Sequence, residues 1–347
     1  MKILVSALEH SANVHLKSLK EELSDNIEFV GIFNKDLGEP IVDLQSLAIM
    51  GFVDALKKLR FFFKLADEMV ELSKDVDKVL LIDSSGFNLP LAKKIKKKYP
   101  EKEIIYYILP QAWAWKKKRI PVLARTIDKL ASILPFEPAY YPSNANIEYV
   151  GHPLLDQITE FKTSLKSTVK DVAFMPGSRK GEIKKLMPIY LELIKELELN
   201  ATLIIPKHFS PQDVKELYGD ISHIKVSHEA HKTLLNSDFA FICSGTATLE
   251  AAIIGVPFIL AYIAKPLDYF IGSRLIKIEY VGLSNIMFSK FKNRTIHPEF
   301  LQENVTISNL IAAFREYDRE GFLENSQELR AYLKHGSSLR VAELINS

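Results

Sequence analysis

Short apolar runs alternate with longer segments of helical periodicity along most of the chain. In the first half, the apolar runs predict buried strands at 2–7, 27–33, 79–82, 104–108, 131–134 and 149–150. In the second half, they predict strands at 172–175, 202–205, 224–226, 239–243 and 256–261. Strands that alternate with helices form parallel sheets, so the pattern predicts an α/β fold with one such sheet in each half.

A polar stretch at 161–169 interrupts this pattern. It carries Lys, Ser and Thr without periodicity, which is typical of a linker. The chain of 347 residues is also long enough for two domains with separate cores. We therefore expect a first domain over 1–165, a second over 166–320 and C-terminal helices over 321–347. These helices are expected to pack back on the first domain, within one chain or exchanged between two copies.

Composition and charge narrow the functional classes. The net charge is only +2, which argues against a general nucleic-acid coat. The single cysteine, Cys243, excludes an intrachain disulfide and a multi-cysteine zinc site, and it fits a reducing compartment. No secretory signal precedes the first strand, and the longest apolar run is too short to span a membrane. We therefore expect a cytoplasmic protein that can still touch a membrane surface.

Polar side chains follow the first and third strands of the first half. Glu9, His10 and Ser11 come after the first strand, and Asp83 ends the third. Open α/β sheets bind their ligands at the carboxyl ends of strands. These residues therefore form a candidate site, although a lone histidine in such a place is more often structural.

Two other segments of the first half combine apolar and basic residues. Residues 44–65 predict a helix whose three consecutive phenylalanines, at 61–63, cannot share one buried face. It is either a core helix with a mixed interface or an apolar patch rimmed by lysines, suited to a membrane or an acyl chain. Trp113 and Trp115 precede the basic run 116–119, which suits a phosphorylated lipid or sugar. The alternative is that both tryptophans pack between domains.

Two glycine-containing turns follow strands of the second half and open helices. Residues 176–179 read Pro-Gly-Ser-Arg, and residues 244–248 read Ser-Gly-Thr-Ala-Thr. Glycine lets backbone amides approach an anion at a helix N-terminus, and the Arg179 guanidinium fits phosphate oxygens. Glu250 is expected in the first turn of its helix, where it would complement the helix dipole or accept hydroxyls from a ribose. Two such turns in one parallel domain favour a nucleotide diphosphate as the ligand.

Eight segments, which together span most of residues 1–290, carry a resemblance to a known family. They are LAIMGFVDAL (47–56), FNLPLAKKIKK (87–97), AWAWKKKRI (112–120), LPFEPAYY (134–141), GHPLLD (151–156), PGSRKGEI (176–183), SGTATLEAA (244–252) and YVGLSNIM (280–287). The tryptophan segment and LAIMGFVDAL are the most selective. Together the segments resemble the lipid A disaccharide synthases, family 19 of the glycosyltransferases. The resemblance implies the B-type fold, in which two doubly wound Rossmann-like domains face a cleft.

The resemblance also implies a reaction. The family condenses UDP-2,3-diacylglucosamine with 2,3-diacylglucosamine 1-phosphate (lipid X), giving lipid A disaccharide 1-phosphate and UDP, and it uses no metal or other cofactor. Inverting transfer of this kind requires a base for the acceptor's 6-hydroxyl and cations or amides for the departing UDP. The implied partners are these two substrates and the cytoplasmic surface of a Gram-negative inner membrane. A homodimer is compatible with the resemblance, and nucleic acid is not expected as a partner.

The family's motifs imply roles for single positions of this chain. The donor would be held by Gly177, Ser178, Arg179, Ser244, Gly245, Thr246, Glu250 and Asn285. The acceptor and its acyl chains would meet Ser11, Asn88, Met50, Phe52, Trp113, Trp115, Lys116 and Arg119. The catalytic base is expected to be Asp83, with Glu9 and then His10 as alternatives.

Two loops depart from the family's pattern. The first commonly reads Gly-Glu-x-Ser-Gly-Asp, and here Asn13 replaces the closing acid. The second commonly reads Asp-x-x-Asp-Phe-Asn, and here Asp83 is kept while Gly86 replaces the second acid. If that second acid were the family's base, this chain must use another group. Two alternatives therefore stay open: another B-type enzyme, such as a UDP-GlcNAc transferase or 2-epimerase, and a non-catalytic nucleotide-sugar binding protein.

Overall fold

The computed structural model describes residues 1–43, 55–264 and 279–347. The chain divides into two compact units, each of which is described here by itself. The first unit contains Met1–Asp156 and Leu333–Ser347, and the second contains Gln157–Tyr332.

The first unit is built on a parallel sheet of seven strands. The strands are β1 Lys2–Ser6, β2 Glu28–Phe33, β3 Val42–Asp43, β4 Lys78–Ile82, β5 Glu103–Tyr107, β6 Lys129–Ser132 and β7 Ile147–Tyr149. Their order in the sheet is β3-β2-β1-β4-β5-β6-β7. The six predicted strands are confirmed within a residue or two, and β3 was missed because two residues carry no periodicity.

Helices cover both faces of this sheet. Besides the C-terminal helix Ser337–Asn346, the helices of the described part of the first unit are α1 His10–Glu21, α2 Ala55–Leu72, α3 Ser85–Lys98, α4 Ala112–Trp115, α5 Ile120–Thr126 and α6 Pro153–Gln157. Side chains alternate along each strand, so Leu4 and Val79 belong to one buried cluster while Ile3 and Leu80 belong to another. A parallel sheet buried on both faces explains why its strands read as continuous apolar runs.

The second unit repeats this architecture with six parallel strands. They are β8 Asp171–Met175, β9 Asn200–Ile204, β10 Lys225–Ser227, β11 Phe239–Ile242, β12 Phe258–Tyr262 and β13 Glu299–Leu301, in the order β10-β9-β8-β11-β12-β13. The helices of its described part are α7 Lys180–Leu197, α8 Pro211–Tyr218, α9 Ala230–Asn236, α10 Thr246–Ile254, α11 Leu283–Lys292, α12 Ile307–Arg315 and α13 Arg319–Leu333. The five predicted strands are confirmed, and the short half-buried β13 was missed. The α/β prediction, with one parallel sheet in each half, is therefore correct.

Five short 3₁₀ turns complete the described elements of the two units. They are Lys35–Leu37, Ser73–Asp75, Lys117–Arg119, Glu137–Tyr140 and Gln302–Asn304.

The expected domain boundaries differ from this division. The backbone N–H of Lys162 donates to Ile254 O at 2.8 Å, and the Arg330 guanidinium stacks 4.8 Å from the ring of Phe161. The stretch read as a linker is therefore anchored on the second unit. Arg330 also donates to Ile253 O at 2.7 Å, which ties most of α13 to the same unit.

Only the last helix, α14 Ser337–Asn346, returns to the first unit, where it packs beside α1. Lys78 Nζ donates to Ile345 O at 2.6 Å, and Lys129 Nζ donates to Leu344 O at 2.8 Å. Cations at the last carbonyls of a helix satisfy orphan acceptors and complement the helix dipole. Of the residues 321–347 that were expected to pack on the first unit, α14 does so, whereas most of α13 belongs to the second unit.

The described part of the predicted 44–65 helix is α2. Phe61 and Phe62 are half-buried against the core, while Phe63 is 56% exposed and Leu59 is 53% exposed. The three phenylalanines do diverge, as the periodicity required. Met50 and Phe52 lie outside the described residues.

Candidate functional site

The second unit brings its two glycine-containing turns side by side. β8 and β11 are neighbours, with Met175 paired to Ile242, and Cys243 N donates to Met175 O at 2.8 Å. The strand order reverses between these two strands, because β9 lies on one side of β8 and β11 lies on the other. Open α/β sheets bind their ligands at such a switch point.

A cavity of about 360 Å³ lies at this switch point. Its volume is in the range of small-molecule sites. The lining includes seven of the eight residues predicted to hold the donor and several that the sequence did not reveal. It comprises Met175, Gly177, Ser178, Arg179, Glu182, Ile204, Ile205, Pro206, His228, Ala230, Ile242, Cys243, Ser244, Gly245, Thr246, Ala247 and Glu250.

Gly177 is required by its conformation and its surroundings. Its φ is +105°, and a Cβ there would lie 2.9 Å from Glu182 Oε2 and 3.2 Å from Cys243 Sγ. The adjacent Arg179 is 79% exposed in its side chain, and its Nη1 donates to Glu182 Oε1 at 3.0 Å. The half-buried Glu182 thus holds the guanidinium at the cavity.

The second turn presents the N-terminus of α10. Gly245 has φ +117°, is exposed, and leaves open space within 4 Å of where a Cβ would stand. Ser244 and Thr246 flank it, whereas the Thr248 hydroxyl is buried and donates to Gly245 O at 2.8 Å. An open helix N-terminus with a bare glycine favours an anion.

Glu250 lies further along this helix than expected. It is the fifth residue of α10, so it is outside the first turn and does not complement the N-terminal dipole. Its Oε2 lies 3.4 Å from His231 Nε2 on α9. The hydrogen bond to Glu250 raises the pKa of His231. Glu250 lines the cavity, which leaves the ribose interpretation in place.

Glu182, His228 and His231 were missed by sequence reasoning. His228 follows β10, and its Nδ1 hydrogen-bonds Ile205 O at 2.7 Å. The available signal was its place at the carboxyl end of a short strand, the same signal that identified Glu9. Glu182 and His231 sit on helices, and only the packing of those helices directs them to the cavity or to Glu250.

Asn285 does not line this cavity, which corrects the expectation that it touches the donor. It is fully buried, and its Nδ2 donates to His297 O at 2.9 Å and to Glu299 Oε1 at 2.8 Å. Its Oδ1 accepts from Ile296 N at 2.8 Å. All of these bonds hold the start of α11 against the segment leading into β13, so Asn285 is structural.

The first unit places its acidic residues at its own switch point. β1 and β4 are neighbours, with Ser6 paired to Leu81, and the strand order reverses between them. Ser84 Oγ donates to Glu9 Oε1 at 3.1 Å, which links the loop after β1 to the loop after β4. Burial, followed by the charge of Glu9, raises the pKa of Asp83. A carboxyl with a raised pKa is better suited to accept a proton near neutral pH.

The rest of the loop after β1 divides into exposed and buried residues. His10 is the exposed first residue of α1, and Ser11 is exposed beside it. Asn13 is buried, donates to Ala7 O at 2.7 Å, and accepts from Asn34 N at 2.7 Å. An amide both donates and accepts here, so the residue that replaces the family's acid joins the ends of two strands.

Asn88 is also structural, which corrects its assignment to the acceptor. It is fully buried, its Oδ1 accepts from Ser6 Oγ at 2.6 Å, and its Nδ2 donates to Asp83 O at 2.9 Å. Gly86 is exposed, and a Cβ there would have no neighbour within 4 Å. The missing second acid therefore leaves open space at the first turn of α3.

Of the segment that carries the tryptophans and the basic run, Arg119 lies close to the loop that contains Asp83. Arg119 is half-buried and donates from Nη1 to Ser85 Oγ at 3.2 Å. Lys116 is also half-buried. Trp113 is only 7% exposed, and its ring packs 4.9 Å from Phe136 within the first unit. This burial inside the first unit corrects its assignment to acyl chains. The Trp115 side chain lies outside the described residues.

The GHP segment at 151–153 packs against the C-terminal chain. A Cβ on Gly151, whose φ is +92°, would lie 3.0 Å from Lys334 O and from Arg340 Nη1. Burial lowers the pKa of His152 to about 3, so the ring is neutral. This segment thus anchors residues 333–340 and α14.

Comparison with known proteins agrees with this arrangement. A family model described as "Lipid-A-disaccharide synthetase" matches residues 3–346. The chain is 47% identical to the lipid-A-disaccharide synthase of Helicobacter pylori strain 26695, over 98% of this chain and 96% of that one. It is 43% identical to that of Campylobacter jejuni strain RM1221, over 99% and 98%.

The chain belongs to the lipid-A-disaccharide synthetase family. It is therefore a glycosyltransferase of lipid A biosynthesis. Solved structures with the same fold include MurG of Acinetobacter baumannii, at TM-score 0.61 and 14% identity over 99% of each chain. A UDP-GlcNAc 2-epimerase of Neisseria meningitidis gives TM-score 0.64 at 12% identity over 100% of each. The B-type fold expected for the lipid-A-disaccharide synthetase family is thus confirmed.

Within the residues that the structure describes, no helix of this family member is long and apolar enough to cross a membrane.

Proposed function

We propose that the chain transfers the diacylglucosaminyl group of UDP-2,3-diacylglucosamine to the 6-hydroxyl of 2,3-diacylglucosamine 1-phosphate. The new bond joins the donor's anomeric carbon to the acceptor oxygen with inversion. The bond between that carbon and the diphosphate breaks, and its electron pair leaves with UDP. Membership in the family supports this reaction. The observation that carries it is the cavity at the second unit's switch point, which combines two glycine-containing turns with Arg179 and Glu250.

The donor's diphosphate binds the two turns of the second unit. Gly177, Ser178 and the segment 244–246 line the cavity where two helices begin, and negative charge is favoured at helix N-termini. Arg179 exchanges its bond to Glu182 for the phosphate oxygens and stabilises the charge that develops on UDP. Glu250 accepts the ribose hydroxyls from its half-buried position on α10.

The acceptor's proton goes to Asp83. Its raised pKa and its position beside Glu9 support this role over that of Glu9, whose carboxylate is exposed. His10 remains a third candidate. Ser11 and the basic segment containing Lys116 and Arg119 contact the acceptor and its 1-phosphate.

The acylated substrates bring the protein to the membrane surface from the cytoplasmic side. Leu59 and Phe63 are exposed on α2, and Lys94 Nζ of α3 lies 5.7 Å from the centre of the Phe63 ring. An apolar patch rimmed by cations is suited to an anionic bilayer. Lys94 also pairs with Asp67 at 2.6 Å, which reduces the net charge of this rim. Met50, Phe52 and Trp115 are proposed to contact acyl chains.

Peripheral association is tested with anionic phospholipid vesicles. The Leu59→Ser, Phe63→Ser double variant should sediment less with vesicles than the wild type and keep its thermal stability, because both side chains are already exposed. Unchanged sedimentation would remove this patch from the interface. Light scattering of the purified protein tests whether it forms a homodimer.

The reaction is tested by measuring UDP release with defined acylated substrates. UDP should appear only when UDP-2,3-diacylglucosamine and diacylglucosamine 1-phosphate are both present. Turnover of UDP-GlcNAc without an acylated sugar would instead support a 2-epimerase or another glucosaminyltransferase. Donor binding without turnover would support a non-catalytic binding protein.

A further inference from the structure

The loop that follows β4 has an unusual backbone. Asp83 has φ +51° and Ser84 has φ +44°, so two consecutive residues that are not glycine occupy the left-handed region. Each such residue costs on the order of 1–3 kcal/mol and persists only where the surroundings fix it. Strained residues of this kind are concentrated at active sites.

Three buried side chains support the pair Asp83 and Ser84 through hydrogen bonds. The Tyr106 hydroxyl donates to Asp83 O at 2.6 Å, and Asn88 Nδ2 donates to the same oxygen at 2.9 Å. Asn88 Oδ1 accepts in turn from Ser6 Oγ at 2.6 Å. All three side chains are fully buried. Both lone pairs of the Asp83 carbonyl are therefore used, and its peptide plane is fixed.

The surrounding backbone adds further constraints. Asp83 N donates to Tyr107 O at 3.1 Å, and Ser84 O accepts from Phe87 N and Asn88 N at 3.0 Å each. Burial raises the pKa of Tyr106 far above its ordinary value, so its hydroxyl keeps its proton and remains a donor. With the backbone fixed on both sides, the Asp83 carboxyl is held beside Glu9 and Ser84.

We propose that Tyr106 is a positioning residue for the proton-transfer step, acting through the main-chain oxygen of Asp83. Asn88, held by its hydrogen bond from Ser6, fixes the same Asp83 oxygen from a second direction. This inference rests on the proposed role of Asp83 as the base. A buried hydroxyl is used because it fixes the carbonyl without adding a charge beside the carboxyl whose protonation matters.

The adjacent Tyr107 provides a matched control. Both rings are fully buried on the same strand, and the Tyr107 hydroxyl hydrogen-bonds Ser337 Oγ at 2.8 Å, on the opposite face of the sheet. Tyr106→Phe and Tyr107→Phe each remove one buried hydroxyl and one hydrogen bond, and neither changes the volume of the ring. Their thermal stabilities are expected to fall by similar amounts.

The experiment measures kcat, KM for the donor and the pH profile for both variants. Tyr106→Phe should lower kcat about tenfold or more, since small misplacement of a reacting group is costly, and leave KM for the donor unchanged. Its acid limb should also move, because a looser loop changes the burial of Asp83. Tyr107→Phe should keep kcat within about twofold and the same pH profile. Equal kcat values for the two variants would overturn the inference.

Asp83→Asn, measured in parallel, separates this inference from the function on which it rests. Loss of turnover in Asp83→Asn, together with a normal Tyr106→Phe, overturns only the positioning role. Full turnover in Asp83→Asn overturns the assignment of the base, and the positioning role with it.

Discussion

The two switch points occupy equivalent places in their sheets, between β1 and β4 in the first unit and between β8 and β11 in the second. The second unit closes its turns with glycines, at φ +105° for Gly177 and +117° for Gly245. The first unit uses Asp83 and Ser84 at φ +51° and +44°. Glycine exposes backbone amides to an anion, whereas the strained pair presents a carboxyl and a hydroxyl. One topology thus provides two different chemistries.

The means of support differ as well. The strained pair of the first unit is fixed from below by fully buried side chains, Ser6, Asn88 and Tyr106. In the second unit, the buried Thr248 hydroxyl donates to Gly245 O. The charged group of the other turn, Arg179, is held by an ion pair that solvent can reach. A site that binds and releases a nucleotide can exchange such a pair, whereas a base must stay in place.

The largest effect is expected from the cation of the second unit. Arg179→Ala should lower kcat/KM by about 10²–10³, the usual loss on removing one group that stabilises developing charge. Lys180→Ala is the control, because the neighbouring lysine pairs with Asp213 and is absent from the cavity lining. Equal losses in the two variants would mean that general positive charge, and not Arg179, serves the diphosphate.

The glycine turns should differ from each other in a predictable way. A methyl group on Gly177 would meet Glu182 Oε2 at 2.9 Å, whereas one on Gly245 meets nothing within 4 Å. Both Gly177→Ala and Gly245→Ala introduce backbone strain of about 1–3 kcal/mol. Gly177→Ala should therefore lower the Tm more, and it should also weaken UDP binding by displacing Glu182 and Arg179. A larger Tm loss for Gly245→Ala would contradict this account of the turn.

The acidic pair of the first unit is tested by its pH dependence. Asp83 must be ionised to accept a proton, so activity falls as the pH drops through its raised pKa. Glu9→Gln removes a charge that contributes to this increase, and the acid limb of kcat should move to lower pH. Glu21→Gln, at the exposed end of α1, should leave the limb where it is. Abolished activity at every pH would make Glu9 itself the base.

The smallest effect concerns the position of the missing acid. Gly86→Asp meets no atom within 4 Å and adds a carboxylate to the first turn of α3. It should stabilise the protein by about 0.3–1 kcal/mol, measured by thermal unfolding. Turnover should change by less than about twofold, because Asp83 already supplies the base. A manyfold gain in kcat would show that an acid at position 86 is a better catalytic base than Asp83, and would contradict the assignment of that role to Asp83.

The fold was predictable because its strands are buried on both faces and therefore read as apolar runs. The same reasoning failed at β3 and β13, which are two or three residues long and half-buried. Glycines and acids after strands indicated the carboxyl edge of each sheet as the candidate site, since parallel strands all end at one edge. The switch points themselves became visible only with the strand order.

Side-chain direction was not predictable from the motifs. Asn88, Asn285 and Trp113 belong to segments shared with the family, yet all three are buried and support the loops or the core. A matching motif shows which residue type occupies a position. It does not show whether that side chain contacts a ligand or bonds to the backbone of its own domain. His231 was missed for a related reason, because the direction of a short helix is set by packing and not by local sequence.

The most direct test of the division between the two switch points is the UDP affinity and turnover of Asp83→Asn. Calorimetry should give a Kd for UDP within about twofold of the wild type, because the second unit alone binds the nucleotide in this account. UDP release with both acylated substrates should fall by at least about 10², the range expected for loss of a general base. Turnover equal to that of the wild type would contradict the assignment of proton transfer to the first unit.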